Sequence, residues 1–125
     1  MNVVDSSAWL EYFGGGANAG FFARAIEDTG NLVVPTLSLY EVFKRIIQQR
    51  TESDALQAVA VMQQGSVVEL DARLALNAAR LSLDHRLPMA DSVMLATAMA
   101  FDAVLWTQDE HFRGLPGVRY RPLQK

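Results

Sequence analysis

The segment from Met89 to Phe101 reads as a helix, with good helix formers throughout and no Gly or Pro inside, yet it carries a carboxylate at Asp91. At about 100° per residue, Met94, Leu95 and Ala98 fall within about 60° of Asp91, so the acid sits on an apolar stripe. The other side, Val93, Ala96 and Ala100, is also small or apolar, the pattern of a helix buried on most of its surface. An ionised carboxylate in such surroundings requires a cation, a set of hydrogen-bond donors or a shifted pKa. The chain then turns at Asp102 into an apolar strand candidate, Ala103 to Thr107, and delivers Asp109 just beyond its end. Asn2 to Asp5 is another short apolar strand candidate that ends in an acid. Carboxylates placed after strands and at the start of a helix can meet at one edge of a sheet. Gathered there, they repel one another unless cations hold them, and an oxygen-only cluster suits hard divalent ions, Mg²⁺ or Mn²⁺. Such a centre polarises a phosphodiester and supplies hydroxide for in-line attack, so no protein nucleophile is needed. The sequence contains no cysteine, which removes thiolate catalysis, disulfides and zinc–thiolate sites and leaves this oxygen chemistry intact.

The elements that must position these acids alternate between strand and helix. After the first strand, Ser6 to about Phe13 is helical, Gly14 to Gly16 with Asn18 form a break, and Phe21 to Asp28 is a short helix closed near Gly30. The glycine run lacks the Gly-Lys-Ser/Thr continuation of a phosphate-cradling loop and is read as a plain loop. Leu32 to Val34 is a strand stopped by Pro35, with Thr36 or Ser38 able to cap a helix running to about Arg50. On that helix Leu39, Val42, Phe43, Ile46 and Ile47 make one apolar face. A helix from a Ser53 cap to Gln64, a strand from Val67 to Leu70, a helix from Asp71 to His85 and an edge strand from Val118 to Tyr120 complete the order. Short apolar strands separated by helices imply parallel βαβ units in a helix-flanked α/β sheet. Ligands of such sheets bind at the carboxyl edge, near the switch point in strand order, where Asp5 and Asp109 are expected.

Taken singly, each acid also has a structural reading. Asp5 suits a helix cap, Asp91 a first-turn acid facing the helix dipole, and Asp109 a cap for the turn at Glu110-His111-Phe112. Glu41 lies opposite the apolar face and three and four residues before Lys44 and Arg45, the spacing of a solvated ion-pairing residue. His85 and His111 lack a second nitrogen ligand at metal-binding spacing and are read as non-ligands. Trp9, Tyr12, Phe13, Phe43 and Trp106 are assigned to the core or an interface in preference to a base-stacking platform.

With 125 residues, half of them hydrophobic and a fifth charged, the chain is a single globular domain with a substantial core. No run approaches the roughly 18 apolar residues of a membrane span, and Asp5 interrupts anything resembling a signal peptide, so a cytoplasmic protein is expected. The net charge of −3 argues at first against a nucleic-acid partner. Acids that hold metal would not count toward it: with four of the 14 set aside, the 11 Lys and Arg are in slight excess.

Four segments, in order, resemble the PIN domain: Val-Val-Asp-Ser-Ser-Ala-Trp-Leu-Glu-Tyr-Phe at 3–13, Leu-Ser-Leu-Tyr-Glu-Val at 37–42, Leu-Pro-Met-Ala-Asp-Ser at 87–92 with Ala-Thr-Ala at 96–98, and Trp-Thr-Gln-Asp-Glu-His-Phe at 106–112 followed by Pro-Gly-Val. More narrowly, the chain is similar to the VapC toxins of bacterial type II toxin–antitoxin pairs. The resemblance implies a three-layer α/β/α domain and a Mg²⁺- or Mn²⁺-dependent endoribonuclease that uses one or two ions and metal-activated water, leaving 5′-phosphate and 3′-hydroxyl ends. By motif match Asp5, Glu41, Asp91 and Asp109 correspond to the family's acidic quartet. Ser6 and Thr107 match hydroxyl positions that steady the carboxylates. The resemblance thus moves Glu41 from the surface to the mouth of a site. It also implies RNA as substrate, a homodimer with no membrane association, and a cognate antitoxin that lays an amphipathic segment near the helices at 37–50 and 53–64. Lys44, Arg45, Arg50, Arg86 and Arg113 are candidates for RNA-phosphate contacts, chosen for their proximity in sequence to the acids. Two alternatives stand beside this reading. A haloacid-dehalogenase-like phosphatase also begins with a strand and an Asp but requires a second Asp where this chain has Ser7. A catalytically degenerate PIN domain would serve only as an RNA- or protein-binding module.

Overall fold

The structure is a computed structural model and describes residues 1–124. Strands β1 (Asn2–Val4), β2 (Leu32–Pro35), β3 (Ser66–Val68), β4 (Val104–Thr107) and β5 (Val118–Tyr120) form one sheet in the order β3-β2-β1-β4-β5. Every pairing is parallel. The expected α/β architecture with a central parallel sheet is therefore present. Each strand contributes three or four residues. Because the chain steps from β1 to β2 on one side and places β4 on the other, the strand order reverses between β1 and β4. The carboxyl ends of those two strands flank the crevice where doubly wound sheets bind ligands.

Side chains alternate across the sheet and divide the core into two layers. Val4 and Trp106, paired in register, face helices α1 (Ser6–Gly14), α2 (Ala19–Ile26), α3 (Thr36–Gln49) and α4 (Glu52–Met62), where they pack with Trp9, Phe22 and Met62. Val3 and Leu105, also paired, face the other way, toward Met94, Leu95 and Ala98 of α6 (Met89–Ala100) and toward Phe112. Helix α5 (Ala72–His85) covers α6 through Leu74, Ala78, Val93 and Ala96. Covered by the sheet on one side and by α5 on another, α6 is buried at every residue from Asp91 to Ala98.

Several helix starts differ from the sequence expectation. Thr51, not Ser53, caps α4, its hydroxyl accepting the Asp54 N–H at 3.1 Å. Neither Thr36 nor Ser38 caps α3. Pro35 occupies the cap position with φ −62°, and Ser38, fully buried, donates to the Met94 sulfur at 3.3 Å. The second helix begins at Ala19 and β3 at Ser66, slightly earlier than expected. Ile47, assigned to the apolar face of α3, is exposed, so that face narrows toward the helix end. Gly14 is the last residue of α1, and the plain loop expected at the glycine run begins at Gly15. Gly15 adopts φ 65°, a left-handed conformation that lets the Gly15 and Gly16 N–H groups close the end of α1 on the Tyr12 and Glu11 carbonyls. Among the described residues no helix is long and apolar enough to cross a membrane.

Trp9 is fully buried and stacks on Phe13 at 5.6 Å. Its indole Nε1 is buried without a hydrogen-bond partner among the described residues. Truncation and ring replacement should therefore diverge. Trp9→Ala is expected to cost about 3–5 kcal/mol in urea unfolding, because it opens a large cavity. Trp9→Phe should cost less than half of that, since it keeps most of the packing and removes an orphaned donor.

Candidate active site

Asp5 occupies the cap position of α1 with extended backbone, but its carboxylate makes no cap hydrogen bond. Its carbonyl accepts from Ala8 and Trp9, and its N–H donates to the Trp106 carbonyl at 2.9 Å, which locks it beside the end of β4. The side chain is left to face the crevice. Ser7 donates to Asp5 Oδ2 at 2.7 Å and Thr107 donates to the same oxygen at 3.1 Å. The Thr107 hydroxyl in turn accepts the Asp109 N–H at 2.9 Å, so one hydroxyl couples the first and last acids. Asp5 is only 4 % exposed. Burial pushes its carboxyl from 3.8 up to about 6, with Asp91 and Asp109 adding to the rise against the two hydroxyl donors.

Asp91, in the first turn of α6, points the same way. Burial raises its pKa, and the Asp109 and Glu41 carboxylates raise it further. Glu41 is half-buried on α3 and accepts a 2.7 Å hydrogen bond from Ser6. Among the described residues it makes no ion pair with Lys44 or Arg45, which corrects the solvated ion-pair reading that periodicity suggested. Asp109 does serve as a turn cap, accepting the His111 N–H at 2.9 Å. That turn, Glu110–Phe112, swings the His111 ring back over the cluster. His111 Nδ1 lies 2.8 Å from Asp91 Oδ2 and 3.1 Å from Asp109 Oδ1. The hydrogen bond to Asp91 and the charge of Asp109 raise the imidazole pKa. One ligand atom each from Asp91, Asp109 and His111 lies within 4.8 Å of the others, a spacing that one cation can span. Carboxylate oxygens dominate the donor set, and the burial and mutual repulsion that raise Asp5 and Asp91 make their ionised forms costly without a cation. These residues fit a hard divalent ion.

Residues 3–118 match the PIN domain. The chain belongs to that family. Solved structures agree in fold: a toxin–antitoxin complex from Klebsiella pneumoniae superposes with a TM-score of 0.81 at 18 % identity, covering 95 % of this chain and 96 % of that one. The sarcin-ricin-loop-cleaving toxin VapC20 of Mycobacterium tuberculosis gives 0.77 at 17 % identity over 93 % and 95 %. DNA-bound VapBC from Salmonella typhimurium gives 0.74 at 13 % over 98 % and 97 %. No curated protein sequence matches significantly.

Within this PIN domain the two neighbouring serines divide their work. Ser6 holds Glu41, whereas Ser7, absent from the sequence-derived set, holds Asp5. A step of about 100° around the start of α1 is what separates them. His111 was the second residue missed. Spacing alone offered no ligand partner for it, and only the tight turn after Asp109 brings its ring to Asp91. Of the basic candidates, Lys44 lies over the Tyr40 ring, 5.5 Å from its centroid. Arg50, at the far end of α3, lines a groove shared with α1 and α4 and lies about 13 Å along the helix from Glu41. Arg45, Arg86 and Arg113 are exposed, and Arg86 ends α5 in a left-handed conformation, φ 55°.

Ser7→Ala removes a donor that favours the ionised form of Asp5. The expected result is a further rise of the Asp5 pKa and about a 10- to 100-fold loss of Mn²⁺ affinity by calorimetry at neutral pH. Ser6→Ala, which touches only Glu41, should lose less.

Proposed function

We propose that this PIN domain is the toxin of a type II toxin–antitoxin pair and a Mg²⁺- or Mn²⁺-dependent endoribonuclease. The observation that carries the reading is the convergence of Asp5, Asp91 and Asp109 at the β1/β4 crevice, with burial holding Asp5 near 6. Carboxylates placed to repel one another in a mostly buried site favour a bound cation strongly. Asp5, Asp91 and Asp109, with Glu41 at the rim, would hold one or two divalent ions, which would supply Lewis acidity toward a phosphodiester and activate water for its hydrolysis. The chain's own groups fix the geometry. Ser7 and Thr107 aim the Asp5 carboxylate, Ser6 holds Glu41, and the Thr107 hydroxyl ties the Asp109 backbone to Asp5. His111 Nδ1 keeps Asp91 and Asp109 together and stands within reach of a proton leaving the site.

The fold neighbours support the biological setting, since VapC20 is a sarcin-ricin-loop-cleaving toxin, the Klebsiella protein is a toxin–antitoxin complex and the Salmonella protein is a DNA-bound VapBC. The chain acts as a homodimer, and its antitoxin places an amphipathic segment in the groove of about 300 Å³ bounded by Leu10, Phe13, Ile46, Arg50 and Val61. To test the enzymatic reading, total bacterial RNA is incubated with the antitoxin-free protein and Mn²⁺, and ends bearing a 5′-phosphate are sequenced. Discrete new ends are expected that vanish with EDTA and in Asp91→Asn. Binding of RNA with no new ends under any metal condition would instead establish the degenerate binding module.

A further inference from the structure

Two arginines outside the sequence-derived set stand beside the candidate site. Arg119 and Arg121 alternate with Tyr120 at the end of β5 and so share one face of the sheet. Arg119 pairs in register with Trp106 and lies over its ring, 4.9 Å from the centroid. Arg121 lies over Phe21 of α2 at 4.2 Å, and Phe21 in turn packs on Trp106 at 5.1 Å. Both arginines are exposed. Among the described residues neither has a carboxylate within ion-pairing distance or a side-chain hydrogen bond. A guanidinium held over a ring by cation–π attraction can present its N–H fork to a planar or tetrahedral oxyanion.

The backbone fixes where that fork is. The Arg121 N–H donates to the Thr107 carbonyl at 3.0 Å, and Thr107 is the residue whose hydroxyl holds Asp5. On its other side, the fully buried Asn18 donates to the Pro122 carbonyl at 2.9 Å and to Gln108 Oε1 at 3.1 Å. The backbone at Arg121 and Pro122 is thus pinned by Thr107 on β4 and by the buried Asn18 amide. The Cα atoms of Arg119 and Arg121 lie about 7 Å apart, two residues along one strand face, and among the described residues no acid pairs with either charge. That spacing is comparable with the separation of successive phosphates along an extended single strand. We propose that Arg119 and Arg121 form the phosphate track by which single-stranded RNA enters the acidic crevice along β5, each guanidinium held in place by an aromatic ring. The assignment rests on the ribonuclease reading and adds to it a direction of approach.

The test uses the full chain carrying Asp91→Asn, in EDTA, so that RNA is bound but not cut. Binding of fluorescein-labelled mixed-sequence RNA 12-mers is followed by anisotropy across a salt series. Adding Arg119→Gln and Arg121→Gln together should lower affinity by roughly tenfold per arginine and flatten the salt slope by about 1.4. Arg119→Lys with Arg121→Lys should keep the slope and lose affinity several-fold, since the charge survives and the fork does not. Independently of any variant at these positions, bound RNA should protect Arg119 and Arg121 from an arginine-selective dicarbonyl reagent, read by mass spectrometry. Unchanged affinity and slope in the glutamine pair, or undiminished dicarbonyl reactivity at both arginines, overturns the assignment while leaving the ribonuclease reading standing. Normal RNA binding accompanied by self-association of the glutamine pair also overturns it, and makes the arginines guards of an exposed edge strand. Absence of RNA binding by the parent chain overturns this proposal, whereas the ribonuclease reading stands or falls separately on the cleavage assay of the wild-type chain with Mn²⁺.

Discussion

Asp5→Asn is expected to give a protein that is inactive and more stable. The folded state holds the Asp5 carboxyl near 6 instead of 3.8, mainly because it is buried. For a carboxyl raised on folding, the folded chain binds the proton more tightly than the unfolded one. No penalty exists below about pH 4, stability falls as pH rises from about 4 through 6, and the full cost, about 3 kcal/mol, is present at pH 7.5. Asparagine carries no charge to desolvate and still accepts from Ser7 and Thr107 through its side-chain oxygen. In metal-free buffer at pH 7.5 the variant should melt about 10 °C higher than wild type, and the gap should close as the pH is lowered to 4. Cleavage of RNA should fall at least about a thousandfold, the scale of losing several kcal/mol of charge stabilisation at the reacting phosphate. A variant less stable than wild type at pH 7.5 would show that the carboxylate is held by donors strong enough to offset its burial.

Removing divalent ions should have the second-largest effect. Chelation is expected to abolish cleavage, and Mn²⁺ added back should restore it and raise the melting temperature, by the equivalent of about 2.7 kcal/mol at a hundredfold excess over Kd. Asp5 titrates in the range where this can be dissected. Asp5 must give up its proton to bind a cation, and at pH 5.5, below its value of about 6, most molecules hold that proton. Asp91 is raised as well, and protonated His111 neutralises the carboxylates it touches, so all three groups oppose cation binding in acid. Mn²⁺ affinity should therefore drop at least several-fold between pH 7.5 and 5.5, with protons released on binding. Calorimetry in two buffers of different ionisation enthalpy measures that release directly. Affinity independent of pH over this range would mean that Asp5 does not ligate the ion. In Asp91→Asn the binding should be lost.

Much of the architecture was legible in the sequence because it rests on local physics. The apolar strands at Asn2–Val4, Leu32–Pro35 and Val104–Thr107, each followed or preceded by a helical period, dictate parallel strands with helices between them. A parallel sheet sends the carboxyl ends of its strands to one edge, and Asp5 and Asp109 follow such ends, so their convergence was readable without coordinates. Asp91 announced itself by interrupting an apolar stripe. Only the tertiary structure decided the remainder. Periodicity measures distance from a helix's own apolar face and cannot tell solvent from a neighbour's hydroxyl, so Glu41 looked like a surface ion pair until Ser6 was placed against it. One residue of rotation at the start of α1 gives Ser7 to Asp5 and Ser6 to Glu41. His111 meets Asp91 through a tight turn and across a separation of 20 in sequence, and Arg121 meets Thr107 because β5 pairs with β4. Such contacts depend on which elements lie side by side. Sequence spacing reports what lies along one helix or strand, whereas the distance between two elements is fixed by how the whole core packs.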